Sequence, residues 1–391
     1  MNFENTEQAY RLKTNRELFR AFYLFRLISY PSLVALGTKL TLFALKIKLP
    51  ISSLFKHTVF KQFCAGTKKE DSIKLVEKLA KLKVNSYMHY AAEGLKNEKG
   101  MDLSLEKTLE TLSFSEGRSS LPFTVFKATS LGAFSLFEKK TQKNRFTPLE
   151  DQAWKRCLNR MDQCCKKASD FKVRILIDAE ETWVQGAIDK IAEDFMEQYN
   201  KEEAIVFTTV QMYRKDRLFY LKKLVKKAEK NNFKLGIKLV RGAYIEKEND
   251  RAKQLGIPSP ICNDKTATDR NFDAALDYLL PKLETCRLFI GSHSESSIHK
   301  VTQWMQENGI PSSHPSIWFS QLYGMADHIS FNLAADGFQV VKYVPYGPIR
   351  DVIPYLIRRA EENTSVSGQT PRELHLIEKE IKRRKTKEAV I

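Results

Sequence analysis

Several polar residues stand where short apolar runs end, and their types limit the chemistry they can do. Lys127 follows Phe123-Thr124-Val125-Phe126, and Asp178, Glu180 and Glu181 follow Ile175-Leu176-Ile177. Gln211 closes the run from Ala204, and Lys238 and Arg241 lie within Ile-Lys-Leu-Val-Arg-Gly-Ala-Tyr (237–244). Ser292-His293 follow Leu288–Gly291, and Tyr343 sits inside Gln339–Val344. Burying any of these without a partner or a task is costly. Further on, Tyr355, Arg358 and Arg359 are spaced i, i+3, i+4 and share one face of a helix. Two guanidinium groups beside a phenol suit a planar carboxylate, because each offers a rigid fork of donors and keeps its charge. Taken alone, the triplet reads more readily as an exposed basic face paired with Glu361 and Glu362. Cations dominate the whole set and Asp178 is its clearest anion. The expected ligands are therefore anionic: a phosphate-bearing cofactor and a carboxylate substrate. Lys127 is also a candidate Schiff-base nucleophile, as in barrel aldolases. No metal is expected, since the seven histidines show no zinc-type pairing with His or Cys. A Gly-x-Ser-x-Gly nucleophile turn does not occur.

Such residues need rigid elements to hold them. Eight runs read as strands: Val84–Tyr90, Phe123–Ala128, Val173–Ile177, Ala204–Val210, Leu235–Val240, Leu288–Gly291, Ser316–Gln321 and Gln339–Val344. Most are rich in Val, Ile and Phe, as parallel strands buried on both faces require. Helical stretches separate most of them, among them Pro148–Ala168, Trp183–Tyr199, Asp216–Asn231, Thr268–Leu283, Ser297–Asn308 and Ile349–Glu362. This alternation predicts an α/β fold, a (β/α)8 TIM barrel, whose functional residues gather at the C-terminal ends of the strands. No Gly-x-Gly-x-x-Gly follows a strand and no Gly-Lys-Ser/Thr loop occurs, so nucleotide-binding folds built on those loops have no local support. Residues 6 to 62 read as helical, broken at Pro31 and Pro50, and Asp71–Lys83 as an amphipathic helix. Pro371–Ile391 reads as a charged terminal helix surrounded by water. The expected domains are a helical arm (1–75), the barrel (76–370) and the charged tail (371–391).

The chain has 391 residues, 42% of them apolar and 28% charged, which excludes wholesale disorder. Leu27–Thr38, the longest uncharged stretch near the N-terminus, is shorter than the ~20 apolar residues a spanning helix needs. The first residues do not read as a secretory signal, and Glu4, Glu7 and Glu17 argue against a transit peptide. Six cysteines form no Cys-x-x-Cys pair and two are adjacent (Cys164, Cys165), so reduced thiols and a cytoplasmic location are expected. The net charge is +17, and residues 1 to 70 hold twelve Lys and Arg against four Asp and Glu. That excess alone would admit nucleic acid as a partner, a reading with no other support. The arm reads as packed on the barrel with its lysines in water. The alternative is a peripheral contact with the inner face of an anionic membrane.

Four motifs, in this order and spacing, resemble the proline dehydrogenase family. They are Ile-Asp-Ala-Glu-Glu (177–181), Lys-Leu-Val-Arg-Gly-Ala-Tyr (238–244), Gln-Leu-Tyr-Gly-Met (321–325) and Tyr-Val-Pro-Tyr-Gly-Pro (343–348) with Tyr-Leu-Ile-Arg-Arg-Ala-Glu-Glu-Asn (355–363). His57-Thr58-Val59-Phe60 is similar to the monofunctional members, and the chain looks like a bacterial type close to the mitochondrial enzymes. The resemblance implies a barrel distorted at its last helix, with FAD held noncovalently at the strand ends. It implies oxidation of L-proline to Δ1-pyrroline-5-carboxylate by hydride transfer from ring C5 to flavin N5, the first step of proline catabolism to glutamate. Electrons would pass to a quinone, and the product to a separate pyrroline-5-carboxylate dehydrogenase. Carried over, Arg358 and Arg359 with Lys127 take the carboxylate, and Leu322, Tyr343 and Tyr355 wall the ring. Asp178 and Lys238 fall at catalytic or flavin-adjacent positions. Ala179, Gln211, Lys238, Arg241, Gly242, Ala243, Ser292 and His293 would hold FAD. A phenol at Tyr355 implies proline rather than hydroxyproline as substrate. One departure stands out: many relatives have Arg before Lys in the fifth-strand motif, whereas here Lys238 precedes Arg241, which keeps the charge and loses the fork.

Overall fold

A computed structural model describes residues 2–47, 49, 55–91, 97–365 and 369–388. Pro50 and residues 389–391 lie outside them. The eight apolar runs are strands: β1 Val84–Tyr90, β2 Phe123–Lys127, β3 Arg174–Asp178, β4 Val206–Gln211, β5 Leu235–Val240, β6 Cys286–Gly291, β7 Ile317–Leu322 and β8 Val340–Tyr346. The ladders of β3, β4 and β7 run one residue past the apolar pattern, which makes Asp178, Gln211 and Leu322 strand-final. The strands form one sheet in the order β1-β8-β7-β6-β5-β4-β3-β2. It is a nearly closed, all-parallel (β/α)8 barrel with helices between the strands, as the alternation predicts.

By contacts the chain divides into two compact units. One holds Met1–Ser86, Tyr90–Glu93 and Gln321–Ile391, and the other holds Tyr87–His89 and Gly94–Ser320.

In the second unit the strand interiors carry an aromatic cluster. Phe123 meets the rings of Phe289 at 4.9 Å, Trp318 at 5.2 Å and Phe207 at 5.6 Å, each close to edge-on. All four are buried, and each fully buried ring contributes roughly 1.5–3 kcal/mol. Gly236 makes room for this, since a Cβ there would fall 2.5 Å from the Phe207 ring. Arg174, at the start of β3, lies 5.5 Å from the Phe123 ring centre and 5.7 Å from that of Trp318. The Pro148–Asp170 helix begins with Pro148 in its first turn and a Thr147/Glu150 capping box.

In the first unit, the Asn15–Ile28 helix starts on a Thr14/Glu17 capping box and buries Leu18, Ala21, Phe25 and Ile28. Pro31 opens the next helix, Pro31–Lys46, because its missing N–H costs nothing in a first turn. The Gln369–Glu388 helix packs against Asn15–Ile28. It is not the water-surrounded tail expected from its charge. Leu376, Ile377 and Glu380 are fully buried. Arg384 donates to the carbonyls of Lys13 and Tyr10, and Arg383 and Arg384 both clasp Glu380. Its lysines and arginines answer Glu4 and Glu7 on the N-terminal segment. On the arm Arg26, Lys39 and Lys46 are exposed, as expected, and large apolar side chains are exposed beside them. Ten large side chains from Phe19 to Leu49 are exposed.

Candidate active site

Lys127, Asp178 and Gln211 end β2, β3 and β4, Lys238 lies within β5, and Arg241 and Ser292 directly follow β5 and β6. Register places Lys127 beside Asp178, and Lys238 between Thr209 and Phe289. The Lys238 ammonium donates to Asp178 Oδ1 at 2.6 Å, both side chains being largely buried. Its Nζ also lies 5.8 Å from the Tyr87 ring centre and 5.7 Å from that of Phe289, which favours the charged form. Burial works against this charge, but Asp178 outweighs it and raises the ammonium pKa above the ordinary lysine value. Thr209 Oγ1 donates a longer bond to the same oxygen, at 3.4 Å. Two residues beyond Asp178, Glu180 is buried and accepts from the Thr129 amide at 3.0 Å and hydroxyl at 2.5 Å. Burial raises its carboxyl pKa, and the nearby charge of Lys127 moderates the rise.

Gln211 links two turns, donating to the Glu180 carbonyl at 2.8 Å and accepting from the Ala243 amide at 3.3 Å. Arg241 spreads its donors over three oxygens: Asp269 Oδ1 at 2.6 Å, Ser292 Oγ at 2.7 Å and Ser297 Oγ at 3.0 Å. Its guanidinium also stacks 4.5 Å from the Phe272 ring centre. Gly242 follows at φ +138°, where a Cβ would fall 2.4 Å from the Tyr213 ring, so the turn after β5 requires glycine. Ser292 accepts from Arg241 and from the Ser294 amide. His293 is the next residue in the same turn. Among the described residues, no group of three His, Cys, Asp or Glu is placed to hold a metal ion.

The second group belongs to the other unit, on β7, β8 and the Ile349–Ser365 helix. Tyr343 and Tyr355 are buried, with ring centres 5.9 Å apart and tilted by 48°. The Arg359 guanidinium lies 5.3 Å from the Tyr355 ring centre, and Arg358 and Arg359 are half-buried rather than an open basic face. The side chains of Glu361 and Glu362 lie outside the described set. One position before Tyr343, Lys342 is wholly buried and points to the opposite face of the strand. Its three N–H donors reach the carbonyls of Leu322 (3.3 Å) and Met325 (2.6 Å) and Asp327 Oδ1 (2.7 Å). Asp327 pairs on its other oxygen with Lys13 at 3.1 Å. Burial opposes its charge, yet the two ammonium groups hold its carboxyl down to about 2.

A family profile described as proline dehydrogenase matches residues 72–372. The chain belongs to the proline dehydrogenase family. A carbapenem antibiotics biosynthesis protein, CarD, of Pectobacterium carotovorum is 32% identical over 377 residues, covering 96% of each chain. Proline dehydrogenase 1, mitochondrial, of Dictyostelium discoideum is 33% identical and covers 97% of this chain and 74% of its own. The crystal structure of proline utilization A from Bdellovibrio bacteriovorus, inactivated by N-propargylglycine, superposes with a TM-score of 0.72. Its identity is 20%, over 94% of this chain and 37% of that one, so this likeness is one of fold and the chain spans little more than a third of that protein. Hydroxyproline dehydrogenases also stand among the relatives.

Within this member of the proline dehydrogenase family, the site residues expected from sequence fall into the two groups just described. Lys127, Asp178, Ala179, Gln211, Lys238, Arg241, Gly242, Ala243, Ser292 and His293 lie on β2–β6 and the turns after them. Leu322, Tyr343, Tyr355, Arg358 and Arg359 lie on β7, β8 and the following helix. Sequence reasoning missed the partners that fix them. Asp269 and Asp273, one helical turn apart, anchor Arg241 directly and through Ser297. Tyr87 and Phe289 flank Lys238, and Lys342 with Asp327 tethers the segment after β7. A lysine at an apolar position of a strand was the available signal for Lys342.

Proposed function

We propose that this chain is an FAD-dependent proline dehydrogenase that oxidises L-proline to Δ1-pyrroline-5-carboxylate. Beyond family membership, the observation that carries the reading is the largely buried Lys238–Asp178 pair, flanked by the Tyr87 and Phe289 rings of β1 and β6. The donor set on β4–β6 suits FAD. It combines a buried ammonium, a guanidinium, an amide side chain and a glycine turn, which match an anionic diphosphate and a ring rich in hydrogen-bond acceptors. Lys238, Gln211, Arg241, Gly242, Ala243, Ser292, His293 and the Ala179 backbone are the residues that would hold it. When bound, FAD supplies the two-electron oxidation, accepting hydride from the proline ring. Asp178 keeps Lys238 charged and oriented. Asp269, Ser292 and Ser297 orient the Arg241 guanidinium.

Arg358 and Arg359, with Lys127, bind the proline carboxylate, while Leu322, Tyr343 and Tyr355 wall the ring. The buried Tyr355 phenol, packed against Tyr343, favours the unsubstituted ring of proline over hydroxyproline. Electrons leave to a quinone, and the product passes to a separate pyrroline-5-carboxylate dehydrogenase on the way to glutamate. The free state of all six cysteines supports a cytoplasmic setting. Arg358→Ala and Arg359→Ala each raise the KM for proline by about 10- to 100-fold, the effect of losing a hydrogen bond to a charged group, and leave FAD content unchanged. Steady-state kinetics with flavin quantitation read both, and an unchanged KM in both variants would overturn the carboxylate assignment.

A further inference from the structure

A cleft of about 750 Å³ lies wholly within the first unit, lined by the N-terminal segment, the turn Lys56–Phe60, the helix Lys69–Ala80 and residues just after β7. Hollows of that size take small organic ligands. No residue assigned above to proline or FAD lines it. Leu12, Phe60, Leu75 and Phe331 give it an apolar part, and Tyr323 adds a half-buried phenol. Its charged lining is lopsided, with seven Lys and Arg against three carboxylates. All three carboxylates are already engaged. Asp327 lies between Lys13 and Lys342, Asp71 accepts from the Thr67 and Lys68 amides, and Glu17 accepts from the Thr14 amide and hydroxyl. Arg20, Lys56, Lys61, Lys68, Lys74 and Lys78 pair with no carboxylate among the described residues. The Arg20 Nε–H is buried and meets no acceptor among them, a cost that a bound anion would remove. Hydrogen bonds hold the lining in place. Buried Gln62 donates to the Gly324 carbonyl at 2.7 Å, and the Gly347 amide after β8 donates to the Gly66 carbonyl at 3.1 Å. Lys56–Phe60 is itself a π-helical turn, a form that recurs at functional sites.

We propose that this cleft binds a nucleotide-sized anion, its phosphate groups on Arg20 and the lysines and its aromatic body against the apolar part. The proposal goes beyond proline oxidation and does not rest on it. Charge selects the phosphates. A planar guanidinium and several ammonium groups without counter-ions suit a group that carries several negative charges. The apolar lining selects the body, because Leu12 and Leu75 gain from covering a ring and nothing from a bare phosphate. Enclosure selects a small molecule over nucleic acid, whose footprint is a long basic stripe rather than a hollow. A lining tied by its own hydrogen bonds lowers the ordering cost of binding.

The test is calorimetric titration of the full-length protein with ATP, in excess FAD so that the flavin site is closed to it. ATP is expected to bind once per chain, more weakly at high salt. Adenosine, which lacks the phosphates, and tripolyphosphate, which lacks the ring, should each bind at least about tenfold more weakly. Arg20→Ala with Lys78→Ala should weaken ATP at least about tenfold, as expected for charge-assisted bonds lost. Lys61→Glu with Lys74→Glu tests the same cleft from its exposed side, should the first variant fold poorly. Lys166→Glu with Lys201→Glu removes as much positive charge from exposed positions outside the cleft and should leave binding as it is. No ATP binding, full-strength binding of tripolyphosphate or adenosine, or undiminished binding in either folded cleft variant would overturn the proposal. An equal loss in the Lys166/Lys201 variant would reduce it to an effect of net charge. A single-stranded oligonucleotide that binds more tightly than ATP and is lost with the same cleft variants would overturn it in favour of nucleic acid.

Discussion

Lys238 is buried, yet the Asp178 carboxylate at 2.6 Å holds its pKa above the ordinary lysine value. A group whose pKa is raised on folding contributes stability below its unfolded value, near 10.4 for lysine, and loses it above. The Lys238 charge is therefore constant across neutral and mildly alkaline pH and lends no slope to activity there. Proline does, because its nitrogen must be unprotonated to support the developing iminium. kcat/KM for proline is expected to rise from about pH 7 to about pH 9, and a flat pH–rate profile over that range would contradict the chemistry. At this scale the sequence was legible in part. Asp178 showed itself as the one clear anion after an apolar run. That Lys238 is its partner was not legible, because the two are 60 residues apart and meet only through strand register. Arg241 shows the same limit, since Asp269 and Ser297 reach it from helices outside its own motif.

At the scale of elements, β8 shows what strand alternation can and cannot say. Tyr343 and Lys342 are neighbours with opposite faces, one joining the ring of Tyr355 and the other buried among the carbonyls after β7. The family motif drew attention to the tyrosine, whereas the lysine gave only the weak signal of a charge inside a strand. Asp327 joins that lysine to Lys13 on the N-terminal segment, with Glu373 and His328 also near it. Its carboxyl is depressed to about 2, so its contribution is present above about pH 4 and lost as pH falls toward about 2. One to two pKa units correspond to about 2 kcal/mol. Urea unfolding at a series of pH values should show that loss. Asp327→Asn should remove the acid-dependent part and cost about 3–5 kcal/mol at neutral pH, because two buried ammonium groups lose their shared anion. A variant as stable as the parent would show that Glu373 suffices. The strands were legible to within two residues because their apolar runs are short and bounded. The C-terminal helix was misread because its buried stripe, with Leu376 and Ile377, is thin beside its charges.

For the whole molecule, the charge of +17 has three destinations. Part of it sits at strand ends, on Lys127, Lys238 and Arg241. Part is answered by acids where the terminal helix meets Glu4, Glu7 and Glu380. The rest lies along the acid-free N-terminal stretch beside exposed apolar side chains, a combination that composition alone could not distinguish from a nucleic-acid surface. The barrel itself was legible from strand and helix alternation, whereas its aromatic filling, Phe123 against Phe207, Phe289 and Trp318, depends on how the strands pack. What ties these levels together is the claim that the strand-end cations serve a flavin reduced by proline. The direct measurement is the visible spectrum of the purified flavoprotein under anaerobic conditions before and after L-proline is added. The flavin absorbance near 450 nm is expected to bleach with proline and to return when a quinone is supplied. A protein that holds no flavin, or whose flavin stays oxidised with excess proline, would contradict the account.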